Sequence, residues 1–179
     1  MKATGIVRRI DDLGRVVIPK EIRRTMRIRE GDPLEIYTSR EGEVIFKKYS
    51  LLDTLESFAA ELCDALNRSG NFSAAITDRD TIIALTGAGR RELLGRPISP
   101  ALEAIMEDRR IYQRQADEPA VLLSDGTDHF LAAVAAPILC AGDVLGSVLF
   151  YSADDQLPAE AEYRLAQTIA DFLGHHMET

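Results

Sequence analysis

The chain has 179 residues, of which 46% are hydrophobic and 28% are charged, and its formal net charge is −8. This composition is that of a globular protein with one ordinary domain or two small ones, not of a disordered or fibrous protein. No apolar run is as long as a membrane span, and the N-terminus lacks the apolar core of a signal peptide. Cys63 and Cys140 make neither a disulfide framework nor a zinc pattern, so we expect a cytoplasmic protein with reduced thiols, without membrane contact, metal or cofactor.

The charge is distributed unevenly along the chain. Residues 1–50 contain twelve Lys or Arg and eight Asp or Glu, a net charge of +4, whereas residues 51–179 contain nine and twenty-one, a net charge of −12. Such asymmetry is typical of a protein in which one segment meets a polyanion and the other keeps the molecule soluble. On charge alone, drift in surface composition explains it equally well. We place a domain boundary between residues 50 and 51.

The first fifty residues alternate between β-branched runs and turn signals. Strands are predicted over 4–10 and 15–19, with the turn "DDLG" between them. Pro19 suits the first position of a short helix that follows. Strands are predicted again over 34–39 and 44–49, on either side of a tight turn at "REGE". The predicted order is strand, strand, short helix, strand, strand.

Cationic side chains in the predicted helix recur at i, i+3, i+4 and i+7 and so share one face: Lys20, Arg23, Arg24 and Arg27. Like charges at these spacings cost a helix about 0.2–0.5 kcal/mol per pair. Ile22 and Met26 lie on the opposite side and can pack inward. The alternative is a basic surface that binds nothing, but we favour the interpretation that this face of the helix contacts phosphates.

The small size of this segment predicts a dimer. Below about 60 residues a single core is marginal without metal, disulfide or partner. The apolar residues lie mostly on the predicted strands, and they need another sheet to cover them. We infer an obligate homodimer in which two copies complete one barrel or sandwich. Such a dimer sets two basic faces at a fixed spacing, as in two-fold readers of DNA.

The stretch from Thr4 to Tyr49, including "GRVVIPKEIRR" and "GDPLEIY", resembles the DNA-binding domain of the AbrB-type transition-state regulators. The resemblance implies an all-β-rich swapped-hairpin dimeric barrel of two intertwined chains that binds double-stranded DNA. The DNA-contacting arginines of that family correspond to Arg8, Arg15, Arg23 and Arg24, with Arg9, Lys20 and Arg27 as secondary candidates. Arginine suits this role because its rigid fork of donors matches phosphates and guanine edges.

Two amphipathic helices flank the rest of the chain, one in "SLLDTLESFAAELCDALNRSG" and one in "LPAEAEYRLAQTIADFLGHHMET". Their apolar faces include Leu55, Phe58, Leu62, Leu66, Leu165, Ile169, Phe172 and Leu173. We predict that these helices pair with each other and with their copies in a second subunit. In the alternative, both helices only cover their own sheet.

Between the helices, strands are predicted in "FSAAITD", "TIIALTG", "AVLLS", "FLAAVAAPIL" and "VLGSVLFYS", with helices in "RELLG" and "PALEAIMEDRR". The expected fold is an α+β sheet with helices on one face. Its order and the stretch "PIL–AGDVLGSVLFYS" resemble a GAF domain. An AbrB-type domain joined to a GAF-like domain resembles the stage V sporulation protein T family. That resemblance implies a transcription regulator, activator or repressor, of forespore genes, with tetramers formed by the helices that flank the GAF-like domain.

No catalytic constellation is recognisable, and we expect that the chain is not an enzyme. The histidines are His129, His175 and His176, and none has a cysteine nearby in sequence. "TGAGRREL" lacks the lysine and third glycine of a phosphate loop, so a helix start is favoured there. A GAF-like pocket would have small apolar walls, drawn from Ala74, Ile76, Ala132 and Val134. Such a pocket can bind a small effector or be closed core, and both readings stay open.

A second function class starts from the same resemblance, since related swapped-hairpin domains occur in antitoxins that act through a protein partner. An antitoxin usually carries a short disordered acidic tail. The ordered second domain expected here argues against this alternative.

Overall fold

The chain divides into two units, Met1–Tyr49 and Ser50–Thr179. The computed structural model describes residues 4–49 and 56–178 of them. Leu55, predicted to lie on an oligomerisation helix, falls outside the described residues. Among the helices of the described ranges, none has both the length and the apolar character that crossing a membrane requires.

The N-terminal unit contains helix α1 (Lys20–Thr25) and the antiparallel strands β1 (Leu34–Thr38) and β2 (Val44–Lys48). The loop between the strands is closed by the Ser39 amide, which donates to the Glu43 carbonyl at 3.0 Å. The strands predicted over 4–10 and 15–19 are absent from this single chain, in which residues 4–19 form only a turn and extended backbone. A strand needs a neighbour to bond to, and the described chain offers these segments none.

This unit has no core of its own. None of the described residues 4–49 is buried. Large apolar side chains are open to solvent instead, among them Val7, 87% exposed, and Leu13, 71% exposed. Others along the same unit are Ile6, Ile10, Val16, Val17, Met26, Ile36, Val44 and Phe46. The burial that stabilises other small domains is therefore missing from the single chain.

Helix α1 ends in a pair of hydrogen bonds around a left-handed residue. The Ile28 amide donates to the Arg23 carbonyl at 2.7 Å, and the Arg27 amide donates to the Arg24 carbonyl at 3.3 Å. This is a Schellman motif, whose left-handed position is usually glycine. Here Arg27 occupies it with a φ of +50°. The prediction that Arg27 continues the helical face is therefore wrong, because the helix ends before it.

The C-terminal unit is built on five antiparallel strands in the spatial order β4-β3-β7-β6-β5. They are β3 (Ser73–Asp78), β4 (Ile82–Thr86), β5 (Tyr112–Gln113), β6 (Leu131–Cys140) and β7 (Asp143–Ser152). Strands β6 and β7 meet in a two-residue turn in which Ala141 and Gly142 both have positive φ, the geometry of tight hairpins. The strand predicted at "AVLLS" is reduced to one bridge, Leu122 to Leu131, and β5 takes the sheet edge.

Helices cover both faces of this sheet. The helices α2 (Glu56–Arg68) and α5 (Glu160–His176) pack on one face, and α3 (Arg90–Leu93) and α4 (Pro100–Glu107) pack on the other. The prediction of helices on one face only is wrong. Successive residues of β6 and β7 are buried, so these strands are covered on both sides, as their unbroken apolar sequences indicate.

The predicted pocket walls belong to this closed packing. Ala74, Ile76 and Val134 lie in the apolar cluster under α2 and α5, whereas Ala132 lies in the cluster under α3 and α4. All four are fully buried. They do not line one pocket, because the pairing of β6 with β7 is irregular between Ala132 and Val134 and places these two residues on opposite sides of the sheet.

Replacing Arg27 with glycine is expected to stabilise the protein. Relief of left-handed strain contributes about 1–2 kcal/mol, offset by about 0.5–1 kcal/mol of glycine backbone entropy. We expect a net gain of about 0.5–1 kcal/mol in urea unfolding of the full chain at fixed protein concentration. Arg24→Gly, inside α1, is the matched control and should lose a similar amount. If both variants lost the same free energy of unfolding, Arg27 would not occupy the left-handed position of a Schellman motif.

Candidate nucleic-acid interface

A turn at the start of the chain is organised by one carboxylate. Asp11 Oδ1 accepts hydrogen bonds from the Leu13 amide at 3.1 Å and from the Arg15 amide at 2.7 Å. The Asp11 carbonyl accepts from the Gly14 amide, and Gly14 has a φ of +75°. Short polar side chains favour turns because they can bond to the backbone in this way. The sequence "DDLG" therefore folds into a turn without help from other elements.

The same carboxylate holds the Arg15 side chain. Asp11 Oδ2 accepts from Arg15 Nε at 2.8 Å. The bond from the Arg15 amide, and then the one from its guanidinium, lower the pKa of Asp11 below its ordinary value. Arg15 keeps 70% of its side-chain surface exposed. The turn therefore presents a cation in a fixed direction while leaving it open to a partner.

Arg8 and Arg9 lie on the extended segment before this turn, and both are exposed. Their neighbours Val7 and Ile10 are also exposed. Side chains at successive positions of an extended chain point in opposite directions, so Arg8 and Arg9 would face different sides if pairing with a second copy made this segment a strand.

Helix α1 gathers the other cations. Lys20, Arg23 and Arg24 are exposed and share a face, while Ile22 on the same helix is half-buried. No ion pair involves these three cations within the described residues. Arg27 is exposed but leaves the face through the turn at the end of the helix. The helix thus presents three of the four cations that its sequence spacing predicts.

These residues can bind anionic groups and guanine edges. Guanidinium groups donate hydrogen bonds in a planar fork that suits phosphate oxygens and guanine edges. Over the two described ranges, no group of three or more His, Cys, Asp or Glu is arranged to hold a metal ion. Sequence reasoning missed the positioning role of Asp11. Its signal is an aspartate three residues before a glycine that turns the chain.

A second exposed surface joins the helices α2 and α5. The Phe58 and Phe172 rings have centroids 6.2 Å apart, and Phe172 stacks on His176 at 5.9 Å. Phe172 is 47% exposed, and Phe58 is half-buried against the core. We call these three residues the aromatic seam. An aromatic residue this open at a packed edge is common at protein interfaces.

The other predicted oligomerisation residues divide into two groups. Leu66 and Leu173 are buried in the core of their own unit, so they cover their own sheet. Leu62, Leu165 and Ile169 are half-buried and pack beside that core. Only the half-buried residues and the aromatic seam leave apolar surface for a second copy.

Sequence models of two families match the two units. The model described as stage V sporulation protein T C-terminal, transcription factor, matches residues 54–178. The model described as antidote-toxin recognition MazE, bacterial antitoxin, matches residues 7–50. The first match covers more than half of the chain.

Two curated relatives from Bacillus subtilis (strain 168) are similar to the chain. Stage V sporulation protein T is 50% identical over 179 residues, which span 99% of each chain. Transition state regulatory protein AbrB is 63% identical over 49 residues, which are 27% of this chain and 50% of that protein. The AbrB-type prediction for the N-terminal unit is confirmed by this similarity.

Solved structures agree on the fold of the C-terminal unit. The type II free methionine-R-sulfoxide reductase from Thermoplasma acidophilum has a TM-score of 0.50 at 12% identity and covers 69% of this chain and 94% of its own. The mixed fold of a sheet with helices that was predicted for this unit is confirmed. Since half of its residues are identical to one sporulation protein from end to end, and since its C-terminal unit matches that family's own model, the chain belongs to the stage V sporulation protein T family.

Proposed function

We propose that this chain is a DNA-binding transcription regulator of sporulation that acts in the cytoplasm on forespore genes. The observation that carries the proposal is the set of exposed cations on the Asp11–Arg15 turn and on α1, in a chain whose net charge is −8. The family is one of transcription factors, which supports a regulatory role and not an enzymatic one. Residues 1–50 bind DNA and dimerise, and residues 51–179 regulate and oligomerise.

The N-terminal unit works as a homodimer in this proposal. None of its described residues is buried as a whole, and its described segments before α1 have no strand partner in the same chain. A second copy supplies both missing elements, because swapped hairpins pair the extended segments and cover apolar residues such as Val7 and Leu13. The 63% identity to AbrB over this unit supports the swapped-hairpin arrangement.

DNA contacts come from the arginines of both copies. Arg8, Arg15, Arg23 and Arg24 are the primary contacts, with Arg9, Lys20 and Arg27 as secondary ones. If four arginines per chain reach phosphates, log K falls by about seven per decade of salt. The neighbouring cations repel one another in the free protein. Phosphates neutralise them, so relief of this repulsion adds to the free energy of DNA binding.

A tetramer forms through α2 and α5. The aromatic seam and the half-buried Leu62, Leu165 and Ile169 are the surfaces that a second dimer covers. Two barrels in one particle raise the apparent affinity for paired sites through effective concentration. A small effector that binds the C-terminal unit would change the relative placement of the two barrels, and therefore the apparent affinity of the tetramer for paired sites.

The match of residues 7–50 to an antitoxin family favours one other candidate function, in which the N-terminal unit acts through a protein partner. The ordered C-terminal unit over 56–178 argues against it, since an antitoxin needs only a short peptide to reach its toxin.

Arg23→Ala and Arg24→Ala are each expected to weaken binding to a duplex selected by the wild-type chain from a random pool. A dimer loses two charge-assisted contacts of about 1.5–3 kcal/mol each, or at least about 100-fold in affinity. The slope of log K against the logarithm of the salt concentration should become less steep by about two. Arg40→Ala, on the β1–β2 loop, removes the same charge and should change affinity less than about threefold. Mobility shift and light scattering measure binding and dimer mass. Unchanged affinity in both helix variants contradicts the site.

Asp11→Ala is expected to weaken DNA binding even though it removes a negative charge. The variant loses the bonds that fix the turn and the Arg15 guanidinium, and a contact held less rigidly binds less well. Asp12→Ala is the matched control, with the same change of charge at the next residue. It should bind DNA as well as the wild type or slightly better. If both variants bound DNA more tightly by the same factor, the affinity would depend on the net charge alone and not on the turn that Asp11 fixes.

Phe172→Ser is expected to convert the tetramer to a dimer while leaving DNA binding by each barrel intact. The side chain is 47% exposed, so its loss opens little of the core but removes a large apolar contact between copies. Leu94→Ser, at a residue 43% exposed after α3, is the control and should leave the tetramer unchanged. Sedimentation velocity at several concentrations measures the mass. If the Phe172→Ser variant still forms a tetramer as stable as that of the wild type, the aromatic seam is not part of the tetramer interface.

A further inference from the structure

A buried cation at the edge of the C-terminal sheet has donors without acceptors. Arg114 follows β5, and its amide donates to the Ala133 carbonyl at 2.9 Å, so it extends the pairing with β6. Its side chain is only 8% exposed. Nη2 pairs with Asp155, but Nε and Nη1 are buried and have no hydrogen-bond partner in the part of the chain that the structure describes.

A buried hydroxyl lies beside it. Tyr112 is two residues before Arg114, so the two side chains project from the same face of the sheet. The Tyr112 ring packs against the apolar cluster under α3 and α4, and its hydroxyl has no partner within the described residues. Burial raises the pKa of Tyr112, and the positive charge of Arg114 opposes that shift.

Three buried donors in one place are costly unless something accepts from them. A buried polar group without a hydrogen-bond partner destabilises the fold, and more so when it is charged. The counter-ion of Arg114 does not offset this cost, since Asp155 is 76% exposed on its side chain and water screens it. The occupant that fits must bring acceptor oxygens and negative charge. Nucleic acid does not fit, because residues 51–179 carry a net charge of −12.

We propose that Arg114 and Tyr112 anchor a binding site for a small metabolite through its oxyanion group, a carboxylate or a phosphate. The guanidinium presents a planar fork to such a group, and the Tyr112 hydroxyl adds a neutral donor. Binding itself does not depend on the proposed function, whereas its regulatory consequence rests on it.

The site is connected to the start of α5. Asp155 lies between β7 and α5, and the Pro158 carbonyl in the same segment accepts from Gln113 Nε2 at 3.5 Å. Residues 113 and 114 therefore hold this segment against β5. An oxyanion bound to Nε and Nη1 shares the charge of Arg114 with Asp155 on Nη2, which weakens the ion pair that holds the segment leading into α5, the helix that carries Phe172.

The first measurement uses the full chain with sodium phosphate and with sodium succinate, each against sodium chloride at equal ionic strength. Calorimetry and thermal unfolding should show saturable binding of one or both anions. Binding of phosphate alone indicates a phosphorylated metabolite, and binding of succinate alone indicates a carboxylate. No saturable binding of either anion overturns the proposal.

Variants then identify the site. Tyr112→Phe removes only the hydroxyl, so it should leave the unliganded protein as stable as the wild type and weaken anion binding about tenfold. Asp155→Asn removes the competing carboxylate and should strengthen binding. Tyr163→Phe, at a half-buried tyrosine on α5, is the matched control and should not change binding. Wild-type affinity in Tyr112→Phe, or weaker binding in Asp155→Asn, overturns the assignment.

The same preparations separate this inference from the proposed function. DNA binding by mobility shift is measured on each variant without anion. Intact DNA binding without anion binding contradicts the site alone, and anion binding without DNA binding contradicts the function alone.

Discussion

The constraint on which the rest depends is the absence of a core in the N-terminal unit. Fewer than fifty residues, none of the described ones buried, cannot offset the conformational entropy of folding, which is about 1–2 kcal/mol per residue for the backbone alone. Side chains such as Val7 and Leu13 are stabilising only when another surface covers them. We infer that folding and pairing of this unit are one process. The cations on its surface therefore exist in their working geometry only in the paired state.

The C-terminal unit solves the same problem within one chain. Its sheet is covered on both faces, and residues such as Phe150 and Leu149, adjacent on β7, are buried on opposite sides. A few apolar side chains of this unit stay exposed, among them Leu157 and Phe172, which lies beside Phe58. One unit thus lacks a core within a single chain, whereas the other has a core of its own.

Much of this fold follows from local sequence signals. The strands β3, β4, β6 and β7 and the helices α4 and α5 were predicted because alternation, turn glycines and Pro100 act within a few residues. The two-residue strand β5 was missed, since only its pairing with β6 defines it. Arg27 was misplaced because an arginine fills a position that usually signals its geometry with glycine. The contacts of Arg114 are not encoded by residue spacing, whereas Asp11 could have been found from its place three residues before Gly14. The arginines of α1 were evident from spacing alone.

The separation of charge between the two units has an energetic consequence for assembly. Bringing two N-terminal units together doubles a net charge of +4 in a small volume, and this repulsion opposes the burial that drives pairing. A duplex neutralises these charges and binds only the paired form, so it stabilises the dimer by mass action. The net charge of −12 on residues 51–179 repels the same duplex and keeps it from binding elsewhere on the particle. Low salt therefore weakens the free dimer while strengthening its complex with DNA, and coupling between dimerisation and DNA binding is strongest where counterions are scarce.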